Sequence, residues 1–310
     1  MIVWLCLLLP IATDAADRTT ASETRPADAV PVSSEETPST GVKYHLRYQF
    51  HPNEKLRYQL DQQMIQKATA DFGEKKDRSV IQQRRVYSIS DVTDDGTATA
   101  SMQFESVRME LQTDDQDPEI FHSGMKAEDV PKRFYHTARS LKSEAPTYTL
   151  PPSGIPVDSE GFLQASESNQ AGFMFPLPVD DVGIGESWTA RMNVRVRIAE
   201  GTFRQVVLLR SHRLVKVEND VATISFSTSI VSSVKTPAER VQLLQATPQG
   251  EITFDISRGR LLSKEFRYDS TVPGAFGSNT MLTVVGKSIE KLIEADTAPA
   301  GGSTTTAAAE

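Results

Sequence analysis

Three arginines set in alternation, Arg191, Arg195 and Arg197 in "ARMNVRVRI", are the most specific charged feature of this chain. Residues two apart share a face of an extended strand, so these guanidinium groups would line one side. Such a cationic stripe can receive an acidic polymer or a lipid head group. The same row also fits the solvated outer face of a half-buried sheet. Other reactive constellations fail on spacing. The five histidines, His45, His51, His122, His136 and His212, have no partner at the spacing of a metal site. The acidic stretch from Asp91 puts Met102 where a calcium loop needs a bidentate glutamate. Ser232-Ser233-Val234-Lys235 matches S-x-x-K, but S-D-N and K-T-G are missing and no G-x-S-x-G occurs. Dispersed carboxylates leave no local signature, so an acid/base pair is the one catalytic arrangement still open. No catalytic residue, metal ligand or cofactor site is expected, and the chain reads as a non-enzyme.

Two glycines in "PVDDVGIGESWTARMNVRV" pose a sharper question. A dinucleotide-binding loop needs a third glycine and a following helix. Here Trp188 holds the third position, and the residues after it alternate as a strand. A phosphate loop ending Gly-Lys-Ser/Thr is also absent. Gly183 and Gly185 therefore read as the bend that starts a strand, with Trp188 anchoring that strand in the core. Upstream, Phe173, Phe175 and Leu177 lead in, and Pro176 and Pro178 stiffen an extended connector.

The elements that would position these residues are mostly strands. Tyr58, Leu60 and Met64 fall on one face of "RYQLDQQM", and Ala98, Ala100, Met102 and Phe104 do so in "ATASMQF". The phase then shifts to Val107, Met109 and Leu111. A one-residue shift turns every side chain over, so a bulge is expected near Glu105–Ser106. Met192, Val194, Val196 and Ile198 alternate with the arginine row, and Ile224, Phe226, Thr228 and Ile230 line one side of "VATISFSTSI". Asp94-Asp95-Gly96, Glu200-Gly201, Asn219-Asp220 and Arg258-Gly259 mark turns. Two short helices interrupt the pattern. One spans 131–144; the other, 237–246, opens with Thr236, Pro237 and Glu239 as a capping box. The fold expected is mainly β, a β-dominated α+β chain whose long antiparallel meanders form a curved sheet or half-barrel. Each helix precedes a short hairpin, "VDSEGFL" and then "FDISRGRLL", which suggests two similar halves, 43–170 and 171–294, within one domain.

The start, "MIVWLCLLLPIATDAADRTT", reads as a signal peptide, 1–15. Its apolar run is too short to span a bilayer, and Thr13 and Ala15 supply small residues before the cut. Cleavage there removes Cys6, the single cysteine, so the exported chain must hold together by packing alone. Trp4 and Leu5 make Cys6 a poor lipidation site. Residues 16–42 are Ser, Thr, Pro, Ala and acid, a composition that reads as a disordered tether; 295–310 reads as a similar tail. The net charge of −8 argues against nucleic acid as a partner. No later stretch is long and apolar enough to span a membrane.

The Phe-Pro lead and Gly-x-x-Trp of "FMFPLPVDDVGIGESW", with "GEITFDISRGRLL" carrying Asp255 and Gly259, resemble secreted bacterial proteins of unknown function built from long β-meanders. More distantly the pattern is similar to the outer-membrane lipoprotein carrier fold, a half-open barrel, and that likeness implies an apolar concave face binding acyl chains. The resemblance assigns only structural roles, to Trp188, Gly183, Gly185, Asp255 and Gly259. Together these readings lead to a secreted or periplasmic envelope protein binding a lipid or other apolar ligand, or a protein or polymer partner. A structural or assembly protein without a small ligand, and a carboxylate-dependent hydrolase, are the alternatives.

Overall fold

The computed structural model describes residues 41–71, 73–142, 145–155 and 172–296. The expected signal peptide, nearly all of the expected tether, the hairpin "VDSEGFL" and nearly all of the expected tail lie outside these residues. The strands are β1 (Lys43–Tyr44), β2 (Lys55–Ala70), β3 (Gly73–Val92), β4 (Ala98–Thr113), β5 (Glu119–His122), β6 (Thr147–Leu150), β7 (Val182–Gly183), β8 (Ser187–Ala199), β9 (Thr202–Glu218), β10 (Val221–Ile230), β11 (Gln249–Asp255), β12 (Arg260–Pro273) and β13 (Met281–Asp296). All but β1 and β7 form one antiparallel sheet in the order β5-β4-β3-β2-β13-β12-β11-β10-β9-β8, with β6 beside β5 along β4. Two meanders are thus joined where β13 pairs with β2 over most of its length. The sheet is open: among the described residues, the outer edge of β8 pairs with no strand.

The predicted strand phases hold over most of their length, although Ile230 at the end of β10 is exposed. Tyr58, Leu60 and Met64 face inward with Gln62, and Ala98, Ala100 and Met102 do likewise. Arg84 pairs with Ser106 while Arg85 pairs with Phe104, so Glu105 is the extra residue of a bulge, and Val107 is turned back into the core. Asn219 and Asp220 both have positive φ, the signature of a type I′ hairpin turn. Ile198 departs from the expected alternation: a bulge between Arg197 and Ala199 turns it to solvent.

Both helices are shorter than predicted. The first is a 3₁₀ turn, Lys132–Phe134, followed by α1 (Tyr135–Ser140). Phe134 (φ −100°, ψ 1°) leaves helical geometry, and its ring stacks on Phe121 at 5.6 Å. The second, α2 (Pro237–Leu243), has the expected cap, Thr236 Oγ1 accepting from Glu239 N–H at 3.3 Å. The Glu239 carboxylate does not return to Thr236. It accepts from Lys235 N–H at 2.8 Å and pairs with Arg204 at 2.6 Å, tying α2 to β9.

Two extended segments cross the concave side. Residues 44–50 bring Leu46, Tyr48 and Phe50; residues 172–177 bring Phe173, Phe175 and Leu177, all buried. Phe173 stacks on Tyr58 of β2 and meets Tyr87 of β3, both at 4.8 Å. Two residues on, Phe175 reaches Phe254 of β11 at 6.0 Å and His212 of β9 at 6.1 Å. In a flat sheet six strand spacings would separate β3 from β9 by about 29 Å. Two residues of chain span at most about 7 Å, so the sheet must curve around this plug.

The plug is held at Gly259. Its φ of +60° places the turn beside the first segment, where Gln49 N–H donates to Gly259 carbonyl at 3.2 Å. An added Cβ would lie 2.5 Å from Gln49 N and 2.7 Å from Arg47 O. Gly259→Ala is expected to cost about 2–4 kcal/mol, read as a lower denaturation midpoint at unchanged m-value.

Candidate functional site

The concave face is not uniformly apolar. An aromatic end is built around Tyr48, Tyr58, Tyr87 and Phe173. Elsewhere lie two further apolar plates. One is Met64, Val272, Leu282 and Val284 with Leu244 after α2; the other is Val196, Val206 and Leu208 with Leu243 of α2. Between them runs a belt of inward polar groups: Gln83 and Arg85 on β3, Gln62 on β2, Ser288 and Glu290 on β13, Lys264 on β12, Arg210 and His212 on β9.

The centre of the belt is an ionic triad. Glu290, with 4% of its side chain exposed, lies 3.5 Å from Arg85 and 3.4 Å from Lys264. Register explains this: Glu290 and Lys264 are cross-strand partners, and Arg85 comes from two strands away. Lys264 Nζ also donates to the Gly172 carbonyl at the base of the plug, and Arg85 donates to Gln83 Oε1 at 2.7 and 3.1 Å. Burial pushes Lys264 below its usual value, with the Glu290 charge acting against it. Burial likewise raises Tyr87 to about 12 and holds Tyr48 and Tyr58 well above the ordinary phenol range. A second buried pair, Arg260 with Glu54 at 2.5 Å, fixes the first plug segment, since Arg260 also donates to the Gln49 carbonyl.

Arg210 differs from these. Its Nε donates to Thr228 Oγ1 at 3.1 Å, and its guanidinium lies 5.7 Å from the Phe226 ring, but no carboxylate pairs with it among the described residues. Burial pulls it below its normal value, while Tyr268 acts the other way. Two positions on, His212 is 1% exposed and stacks on Trp188 at 5.3 Å, yet neither ring nitrogen has a hydrogen-bond partner among the described residues. Gln245 Oε1, just beyond α2, is also unpartnered among the described residues, although its amide nitrogen meets Met64 Sδ at 3.2 Å. Buried groups left this way cost free energy that a polar ligand or water would recover.

The residues singled out in the sequence lie away from this belt or support it. Gly183, Gly185 and Glu186 form a turn in which Gly183 N–H donates to Glu186 Oε2 at 2.8 Å and Gly185, at φ +91°, donates to the Leu214 carbonyl at 2.7 Å. Trp188 donates to the Pro176 carbonyl at 2.9 Å, pinning the second plug segment. Asp255 caps its turn, accepting from Ser257 and from Arg258 N–H. Arg191, Arg195 and Arg197 are exposed on the outer face of β8, with Arg195 4.4 Å over Phe203. Ser232 accepts from Val207 N–H at 2.8 Å, which is a backbone-fixing role. Among the described residues the buried carboxylates, Glu54, Glu239 and Glu290, each face a cation. Arg85, Lys264, Glu290 and Arg210 were not singled out. No local spacing marks them, because their inward placement is set by strand order and the plug.

Among the described residues, a hollow of about 370 Å³ is lined by Glu74, Lys76, Arg78 and Asp114, and another of about 340 Å³ by Gln59, Arg84, Val107, Arg108 and His122. No helix among the described residues is long and apolar enough to cross a membrane. No family model matches the chain, and no curated protein matches it. Two solved structures are distantly similar. DynF from the dynemicin biosynthesis pathway of Micromonospora chersina shares 8% identity at a TM-score of 0.21, over 85% of this chain and 92% of that one. A DUF1329 family protein from Desulfovibrio piger shares 9% identity at a TM-score of 0.13, over 74% and 83%. At those TM-scores neither likeness carries an argument about this chain.

The belt has two expected responses. Burial holds His212 at a pKa of about 3, so the folded protein keeps it neutral while the unfolded chain binds a proton below about pH 6.5. Its contribution to stability is complete above that pH and is withdrawn as pH falls toward 3. Between about pH 6.5 and 4.5 the loss is about 2–3 kcal/mol, and denaturation of a His212→Phe variant should lack that component. Glu290→Gln leaves two buried cations facing a neutral amide and is expected to cost about 3–5 kcal/mol, measured by chemical denaturation at neutral pH.

Proposed function

We propose that this chain is an exported, non-catalytic binding protein of the cell envelope whose concave face holds an amphiphile with an anionic head. The observation that carries this reading is Arg210, an inward guanidinium without a carboxylate among the described residues, beside the unpartnered nitrogens of His212. An anionic head group placed there would offset the cost of that charge and accept its remaining N–H donors. The apolar tail would lie on the plates covered by Leu243 and Leu244. Helix α2 has seven residues, too few to be stable without tertiary contacts, so room for a tail comes from its displacement. Export by the signal peptide and the resemblance to the lipoprotein carrier fold support the same reading. The exposed arginine row of β8 supports a second one, a surface for an acidic polymer or protein.

The test uses the mature chain, in which Trp188 is the single tryptophan once the peptide bearing Trp4 is removed. Native mass spectrometry of protein purified from its own host should show a bound mass, and oleate should change Trp188 emission more strongly than its methyl ester. Arg210→Gln should bring oleate affinity down to that of the ester, a loss of about tenfold or more, while leaving the ester unaffected. Apo mass alone, with no Trp188 response to either lipid, refutes the reading.

A further inference from the structure

The outer face of β2 to β5 carries a hollow that the interior site leaves unused. It measures about 340 Å³, and its lining includes Gln59, Gln82, Arg84, Ser106, Arg108 and His122. All six stand at outward strand positions, because their neighbours Tyr58, Leu60, Gln83, Val107 and Phe121 are buried. Register gathers them. Gln59 pairs with Arg84 and Arg84 with Ser106, while Gln82 pairs with Arg108 and Arg108 with His122. The bulge makes room: Glu105 turns aside to meet Arg57 at 2.9 Å, which leaves the small Ser106 opposite Arg84.

Cations and acceptors divide the hollow between them. Arg84 has no carboxylate partner among the described residues, Arg108 shares Glu110 with Arg78, and His122 is exposed beside them. On the other side Asp61 accepts from Gln59 Nε2 at 2.8 Å and from Gln82 Nε2 at 3.1 Å. A carboxylate only accepts, so each amide must offer it nitrogen, and the two Oε1 atoms remain as acceptors. Beyond Gln59 the same row continues to Lys291, exposed and likewise without a carboxylate among the described residues. Two strand spacings set it about 10 Å from Arg84. We propose that this face binds an anionic polysaccharide, with one uronate residue seated in the hollow. Its carboxylate would lie among Arg84, Arg108 and His122, its hydroxyl groups would meet Ser106 and the two amide oxygens, and a further carboxylate would reach Lys291. A small anion would use the cations alone; the acceptors and the second cation select a hydroxylated polymer. This site lies on the opposite face of the sheet from Arg210 and does not depend on the interior holding a ligand.

The test titrates the full mature chain with trigalacturonate, its methyl ester, galacturonate and inorganic phosphate, following the His122 ring resonances by NMR. Trigalacturonate is expected to shift them, and the ester is not. Arg84→Gln should weaken trigalacturonate by about tenfold or more. Lys291→Gln should weaken trigalacturonate several-fold and leave galacturonate unchanged. Both side chains are exposed, so neither substitution should move the melting temperature. Phosphate bound as tightly as trigalacturonate would mark an adventitious anion site only and overturns the proposal. So does the absence of any shift with trigalacturonate, or binding unchanged in both variants. Binding lost in Arg195→Gln but kept in Arg84→Gln would assign the polymer to β8, which overturns it as well.

Discussion

The contact between the two plug segments and the sheet is the constraint on which the molecule turns. Phe173 and Phe175 are two residues apart, yet one packs on β2 and β3 and the other on β9 and β11. Tyr48 of the other segment joins both groups, meeting Phe173, Phe175 and Phe254 within about 6 Å. An open antiparallel sheet of this length has one apolar face too large to leave wet, and among the described residues the only other sheet is the two-residue pair β1–β7. The chain covers it with its own aromatic residues, and the edges of the sheet need not meet for an interior to form.

Charge enters that interior in two different ways. Where a plug segment must be positioned, the charges are matched: Arg260 with Glu54 at the first, and Lys264 with Glu290 and the Gly172 carbonyl at the second. Buried pairs of this kind seldom add much stability over apolar packing, but breaking one strands the other partner. They therefore fix register and placement. Arg210 and His212 have no such structural duty. They stand on the concave side of β9 beside an aromatic wall, Arg210 without a carboxylate and both ring nitrogens of His212 without a hydrogen-bond partner among the described residues. Matched charges positioning the plug and unmatched groups beside it are what separate scaffold from candidate site.

The two ends of the sheet are treated differently. At one, β4 is covered by β5 and β6. At the other, β8 is held at Arg197 by Gln242 and carries outward arginines along its remaining length. Because α2 supplies Gln242 and Leu243, with Leu244 as its C-cap, the short helix links that edge to the interior.

The sequence by itself determined what depends on near neighbours. Alternation set the faces of β2, β4 and β10, and the slip between Phe104 and Val107 located the bulge at Glu105. Positive-φ pairs such as Asn219-Asp220 marked the hairpins, and Thr236 with Pro237 marked the start of α2. All these arise from local sterics and hydrogen bonding. Tertiary structure alone decided the candidate site. Glu290 meets Arg85 across 205 positions of chain, and Lys264 meets the Gly172 carbonyl across 92. Strand order brings them together, and no spacing encodes that order. The strand faces of β9 and β13 were equally hidden. Val285 and Ile289 point outward while Ser288 and Glu290 point inward, because burial there is set by the plug above the sheet and not by the polarity of the strand itself.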